Sequence, residues 1–143
     1  KEGPGAFENH EFFEASSIRE DGDRYIFVYS SRHNHELCYA VSHRPDGDFE
    51  FGGTLVSLGD LFLDGREEEK DGLNYLGNTH GGMLNIGQDW YIFYHRQTNR
   101  HSYSRQACAE KLVRTPEDVR AKFRGTLTRI VNDGATGLIC LIL

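Results

Sequence analysis

Proline is scarce in this chain, with three among 143 residues, and tryptophan and methionine occur once each. Helix signals are equally few. Only Thr115–Phe123 joins a Thr N-cap to a proline at the first helical position and acids in the first turn, which predicts one short helix ending near Gly125. Three cysteines, Cys38, Cys108 and Cys140, cannot make an even disulfide framework. Each lies in an apolar, strand-like segment, the setting of a buried free thiol, and their number says little about compartment. The apolar tail Gly137–Leu143 is far too short to cross a bilayer, so no membrane association is expected. Positive charge is also in deficit: 16 Lys and Arg against 22 Asp and Glu give a net charge of −6. That balance disfavours nucleic acid and suits neutral or weakly charged ligands. No N-terminal signal peptide is visible, and Lys1-Glu2-Gly3 reads as a chain entered midway.

What is present is glycine, 16 residues of it, punctuating short runs rich in aromatic and β-branched side chains. This pattern predicts an all-β fold. Strands are expected at about 12–19, 24–31, 36–42 and 49–57, with polar turns between them. Four short antiparallel strands with turns every 8–12 residues make one blade-sized sheet. A charged stretch, Asp64 to Gly72, reads as a solvated loop. Strands are then expected around residues 80–86 and 90–95 and at Ser104–Glu110. Leu127–Val131 and Leu138–Leu143 are candidates for two more around the turn Asn132-Asp133-Gly134.

The second set repeats the first. Tyr25-Ile26-Phe27 and Tyr91-Ile92-Phe93 align at an offset of 66 residues, and so do Glu14 and His80. A carboxylate at the start of an apolar strand must sit at an open end, find a partner or do chemistry. A repeat that sets Glu14 and His80 at one structural position aims both at one place, which in a radial array of sheets is the central axis.

Several motifs then occur in order: Phe13-Glu14-Ala15-Ser16-Ser17-Ile18-Arg19, Glu36-Leu37-Cys38-Tyr39-Ala40, Gly77-Asn78-Thr79-His80-Gly81, Trp90 to Arg96, and Ser104 to Glu110. Over about residues 3–112 the chain resembles glycoside hydrolase family 43, and specifically its C-terminal part. The resemblance implies about two four-stranded blades of a five-bladed β-propeller in residues 1–112. Residues 113–143, with the short helix and a strand-like tail, fall outside the family pattern. It also implies an inverting acid–base hydrolysis of arabinose- or xylose-containing oligosaccharides and polysaccharides. Glu14 corresponds to the family's general acid, and His80 to the histidine beside the axial channel, where a calcium ion can lie, held in part through water. Arg105 corresponds to an arginine that approaches the sugar. The family's general base and its third, pKa-tuning acid are aspartates of earlier blades, and no aspartate here sits in a matching motif. The chain in isolation is therefore expected to hydrolyse poorly. The alternative is a non-catalytic carbohydrate-binding or structural propeller fragment.

Each residue also has a plainer reading. Glu14 suits a sheet-edge carboxylate paired with Arg19 or a lysine, His80 a hydrogen-bonded turn histidine, and Arg105 a salt-bridged strand arginine. Trp90 and the Tyr29/Tyr39 pair are candidates for stacking on sugar, whereas Tyr25, Phe27, Tyr91 and Phe93 alternate at strand period and read as core between blades. His33 and His35 share one face of an extended turn, but no cysteine or carboxylate in the sequence completes a zinc set. Two blades leave open edges and an uncovered apolar face, so self-association through the open blade edges is expected.

Overall fold

The computed structural model describes residues 7–32, 35–61, 65–73, 75–77, 79–97, 101–114 and 123–125. They form two four-stranded antiparallel sheets. The first holds β1 (Phe12–Asp21), β2 (Arg24–Ser31), β3 (Glu36–Ser42) and β4 (Glu50–Ser57), in that spatial order. The second holds β5 (Gly81–Ile86), β6 (Asp89–Gln97), β7 (Arg105–Arg114) and β8 (Phe123–Gly125), again in order. The expected strands of the first sheet are thus all present. Two-residue hairpins join β1 to β2 and β5 to β6, each turning on a glycine, Gly22 at φ 65° and Gly87 at φ 68°. Glycine reaches that left-handed region without a Cβ penalty.

The C-terminal end departs from expectation. Phe123–Gly125, expected to close a helix, pairs instead with β7 and completes the second sheet. Backbone donors and acceptors left open along β7 are satisfied by that pairing, a tertiary gain that local helix signals do not register. The body of the expected helix and the two tail strands lie outside the described residues, as does His33.

The sheets face each other across one apolar core. Val28, Leu37 and Tyr39 of the first meet Met83, Ile92 and Tyr94 of the second, all 4% exposed or less. Each such side chain withdrawn from water contributes about 1.5–3 kcal/mol. Trp90 belongs to this core, and Tyr39 with it, so neither presents a ring to a sugar. Tyr29 is fully buried on the opposite face of the first sheet, against Phe7 and Phe27.

The residues between the sheets are therefore Ile26 and Val28, not Tyr25 and Phe27; Ile92 and Tyr94, not Tyr91 and Phe93. The two Tyr-Ile-Phe triplets also do not occupy equivalent positions. Glu14 lies opposite Ser30, whereas Gly81 lies opposite Tyr94, which brings His95 opposite His80. Ser30 and His95 are 65 apart, not 66. The difference comes from register shifts in β1, where Ala15 sits at φ 59° just after Glu14. A one-residue slip exchanges the faces of a strand, so Ile26 and Ile92 meet across the interface instead of pointing the same way around it.

Candidate active site

β1 and β5 begin, β2 and β6 end, and β3 and β7 begin at the same end of the two sheets. Glu14 and His80 stand there, one on each sheet. Their side chains meet: His80 Nε2 lies 3.1 Å from Glu14 Oε1. Both remain open to solvent, 37% exposed for Glu14 and 45% for His80. The convergence expected from the repeat is real. The plain alternative for Glu14, pairing with Arg19, is not what forms, because Arg19 Nε donates to the Met83 carbonyl at 3.0 Å and Nη1 to that of Ile18. Beyond His80, the His95 ring lies 5.6 Å away, centroid to centroid. Arg105 opens β7 opposite Gln97, exposed and at the same sheet end as His80. Phe13 is 53% exposed, and Phe12 turns to the outer face against Phe27 and Tyr29, so neither closes a dry pocket over Glu14.

Behind this exposed pair lies a buried polar seam that sequence reading missed. Ser30 Oγ and Thr79 Oγ1 are 3.2 Å apart, joining the sheets. Arg96 Nη2 donates to Asp60 Oδ1 at 3.0 Å, with both side chains nearly sealed from water. Asp60 ends the 3-10 turn Leu58–Asp60 that leaves β4, and it takes a left-handed φ of 56°. The only sequence hints were Ser30 and Arg96 inside otherwise apolar strands; Thr79 and Asp60 lie in connecting segments, where polar residues are too common to single out.

A second network surrounds Glu36, which is 3% exposed at the start of β3. His10 Nδ1 lies 2.6 Å from Glu36 Oε1, Ser31 Oγ donates to the same oxygen at 3.0 Å, and Thr54 Oγ1 donates to Oε2 at 2.6 Å. Tyr29 Oη donates to the His10 carbonyl at 2.8 Å, and the His10 ring stacks on Phe51. His10, Glu36 and Cys38 bring ligand atoms within 4.8 Å of one another. Both Glu36 oxygens are already hydrogen-bonded, however, and burial together with the Glu36 charge pushes the Cys38 thiol well up, keeping it protonated. This is a satisfied buried carboxylate. His35 Nε2 meets Glu69 Oε1 at 3.0 Å, an exposed pair.

Calcium takes about six to eight oxygen ligands. The His80 imidazole offers nitrogen, and its nitrogen Nε2 is engaged with Glu14. The described residues around His80 do not form a calcium cage.

The chain is 53% identical over 106 residues to a xylosidase/arabinosidase of Thermoclostridium stercorarium, a match covering 74% of this chain and 22% of that protein. Its fold matches the GH43_1 enzyme from Xanthomonas citri with a TM-score of 0.63 at 24% identity, over 82% of this chain and 31% of that one. The chain is homologous to part of a glycoside hydrolase family 43 enzyme. The two sheets are accordingly blades of a propeller-type enzyme. Another family 43 structure, CoXyl43, a β-xylosidase/α-arabinofuranosidase from a compost metagenome, matches with a TM-score of 0.62 at 19% identity, over 81% of this chain and 30% of that one. It is described in complex with xylotriose and in a calcium-free form. The chain spans about a fifth, 22%, of the length of the curated relatives it matches. Residues 101–143 also match a different family, described as the C-terminal part of sporulation stage IV protein A.

Proposed function

We propose that this chain is the acid-bearing, C-terminal part of an inverting family 43 glycosidase acting on xylose- or arabinose-containing oligosaccharides. The observation that carries the reading is Glu14, standing at an open sheet end and hydrogen-bonded to His80 of the neighbouring blade. Xylosidase and arabinosidase relatives and a xylotriose-bound structural neighbour support the substrate class.

In the inverting reaction one carboxylic acid protonates the leaving glycosidic oxygen. A carboxylate roughly 6.5–9.5 Å away activates the attacking water. Glu14 fills the first role. His80 Nε2, 3.1 Å from Glu14 Oε1, holds the carboxyl turned toward the sheet end. Arg105, exposed at the same end, binds sugar hydroxyls in this reading. The general base comes from outside the residues of this chain. In this reading residues 113–143 fall outside the family 43 pattern, although β8 (Phe123–Gly125) within them completes the second sheet and the sporulation-protein match begins earlier, at residue 101.

The test compares the chain with Glu14→Gln on 4-nitrophenyl α-L-arabinofuranoside, 4-nitrophenyl β-D-xyloside and xylobiose. Turnover is expected to be slow. Losing the acid should cost about 10²–10⁴-fold on xylobiose, whose leaving oxygen needs the proton, and less on the aryl glycosides. Turnover that survives Glu14→Gln unchanged on xylobiose removes Glu14 from the acid role. No turnover from either protein favours the non-catalytic reading, and titration with xylotriose then becomes the assay.

A further inference from the structure

We propose that the buried Ser30–Thr79 hydroxyl pair is the positioning device that sets His80 against Glu14. The inference rests on the reading of Glu14 and His80 as a working pair. Ser30 is the residue opposite Glu14 in the β1–β2 ladder, and Thr79 immediately precedes His80. Their hydroxyls meet at 3.2 Å, with Ser30 2% exposed and Thr79 completely buried. Each functional side chain is thus one covalent step or one ladder rung from a member of this pair.

The exposed contact cannot set the geometry by itself. Two side chains that are each more than a third exposed lose most of their attraction to solvent and to side-chain entropy. Glu14 also stands at a register shift, next to Ala15 in the left-handed region, so its own ladder holds it less firmly than a regular strand would. Apart from the Arg19 Nε–Met83 carbonyl hydrogen bond, which lies further along β1 and β5 toward their hairpin ends, the nearby interface is apolar packing, which is non-directional. A hydrogen bond sealed from water is directional, and each hydroxyl can donate or accept, so either orientation satisfies the pair. Arg96–Asp60 acts on the same seam but ties β6 to the segment after β4, leaving β1 and its Glu14 untouched.

Ring-nitrogen NMR of His80 in the full chain at fixed pH tests this without needing turnover. Glu14→Gln defines the displacement of the His80 signals when the partner carboxylate is lost. Thr79→Val, which keeps the shape and removes the hydroxyl, should displace them most of the way to that position, and adding it to Glu14→Gln should change little further. Thr79→Ser should return them to the parent value, and Ser30→Ala should reproduce Thr79→Val. His80 signals that stay at the parent position in both Thr79→Val and Ser30→Ala, with the far-ultraviolet spectrum unchanged, overturn the proposal. So does Thr79→Ser behaving like Thr79→Val, since packing would then be the cause. If Glu14→Gln itself leaves His80 unmoved, the pair is not coupled in solution and the working-pair reading fails first. If Thr79→Val does not fold, Ser30→Ala carries the same comparison alone.

Discussion

Glu36 shows how much a single buried charge organises. Its two oxygens draw in the opening loop through His10, the end of β2 through Ser31 and the middle of β4 through Thr54. Thr54→Val keeps the shape and removes one buried hydrogen bond to the carboxylate, which should cost about 1–3 kcal/mol in urea unfolding. Around this carboxylate the titration behaviour is also predictable. Burial, reinforced by Glu36, raises the Cys38 thiol, and burial raises the Tyr29 and Tyr94 hydroxyls too, Tyr94 with help from its bond to Glu110. Groups whose folded pKa lies above the unfolded one stabilise the fold at lower pH and lose that contribution as pH rises. The melting temperature should therefore fall once pH passes about 9, the ordinary thiol value, and fall faster past about 10, the ordinary tyrosine value. Cys38→Ala should reduce the first part of that decline, to which Cys108, also raised by burial, contributes, and leave the second. At this scale the sequence showed Glu14 and His80, because a charged residue at the head of an apolar strand is conspicuous. It did not show Glu36, which begins its strand in the same way but is absorbed by hydrogen bonds from residues far along the chain.

The strands were legible because alternation and turn residues are local signals. The faces were not, since a triplet such as Tyr-Ile-Phe looks the same whichever side it buries, and one irregularity near Ala15 decides the matter. That is why Trp90 and Tyr39, candidates for a sugar platform, lie in the core. β4 carries its own irregularity. The Tyr39 ring lies over Gly52, where an added Cβ would come within 2.2 Å of Tyr39 Cε2. Gly52→Ala must push that ring out of the core, and overpacking of this kind costs about 1–3 kcal/mol. Pairing it with Tyr39→Leu should recover part of the loss, measured as a smaller change in denaturation midpoint than the two single substitutions predict by addition.

Taken whole, the two sheets bury their facing surfaces, and the first also buries Tyr29, Cys38 and Ala40 on its other face, yet apolar side chains stay exposed on both outer faces. Phe12 and Phe51 are 40% and 36% exposed on the first; Leu84 and Ile86 are 48% and 53% exposed on the second. For the chain on its own, self-association through these outer faces is the expectation to test. Size-exclusion chromatography should show the apparent mass rising with concentration, and Leu84→Lys with Ile86→Lys should bring it back to 16.3 kDa. A single sharp monomer peak across a wide concentration range would contradict this. The spatial order of the strands has a further consequence, for the route by which the chain folds. Every strand in each sheet lies beside its neighbours in sequence, so each sheet forms from short loop closures. Contacts between the sheets, such as Arg19 with Met83 and Ser30 with Thr79, close loops of 64 and 49 residues. The first sheet, with its four complete strands, should assemble early and act as the template on which the second docks. Substitutions in β2 and β3 should then slow refolding, whereas Thr79→Val should act almost entirely on the unfolding rate. The contact that aligns Glu14 and His80 would be among the last to form and the first to open.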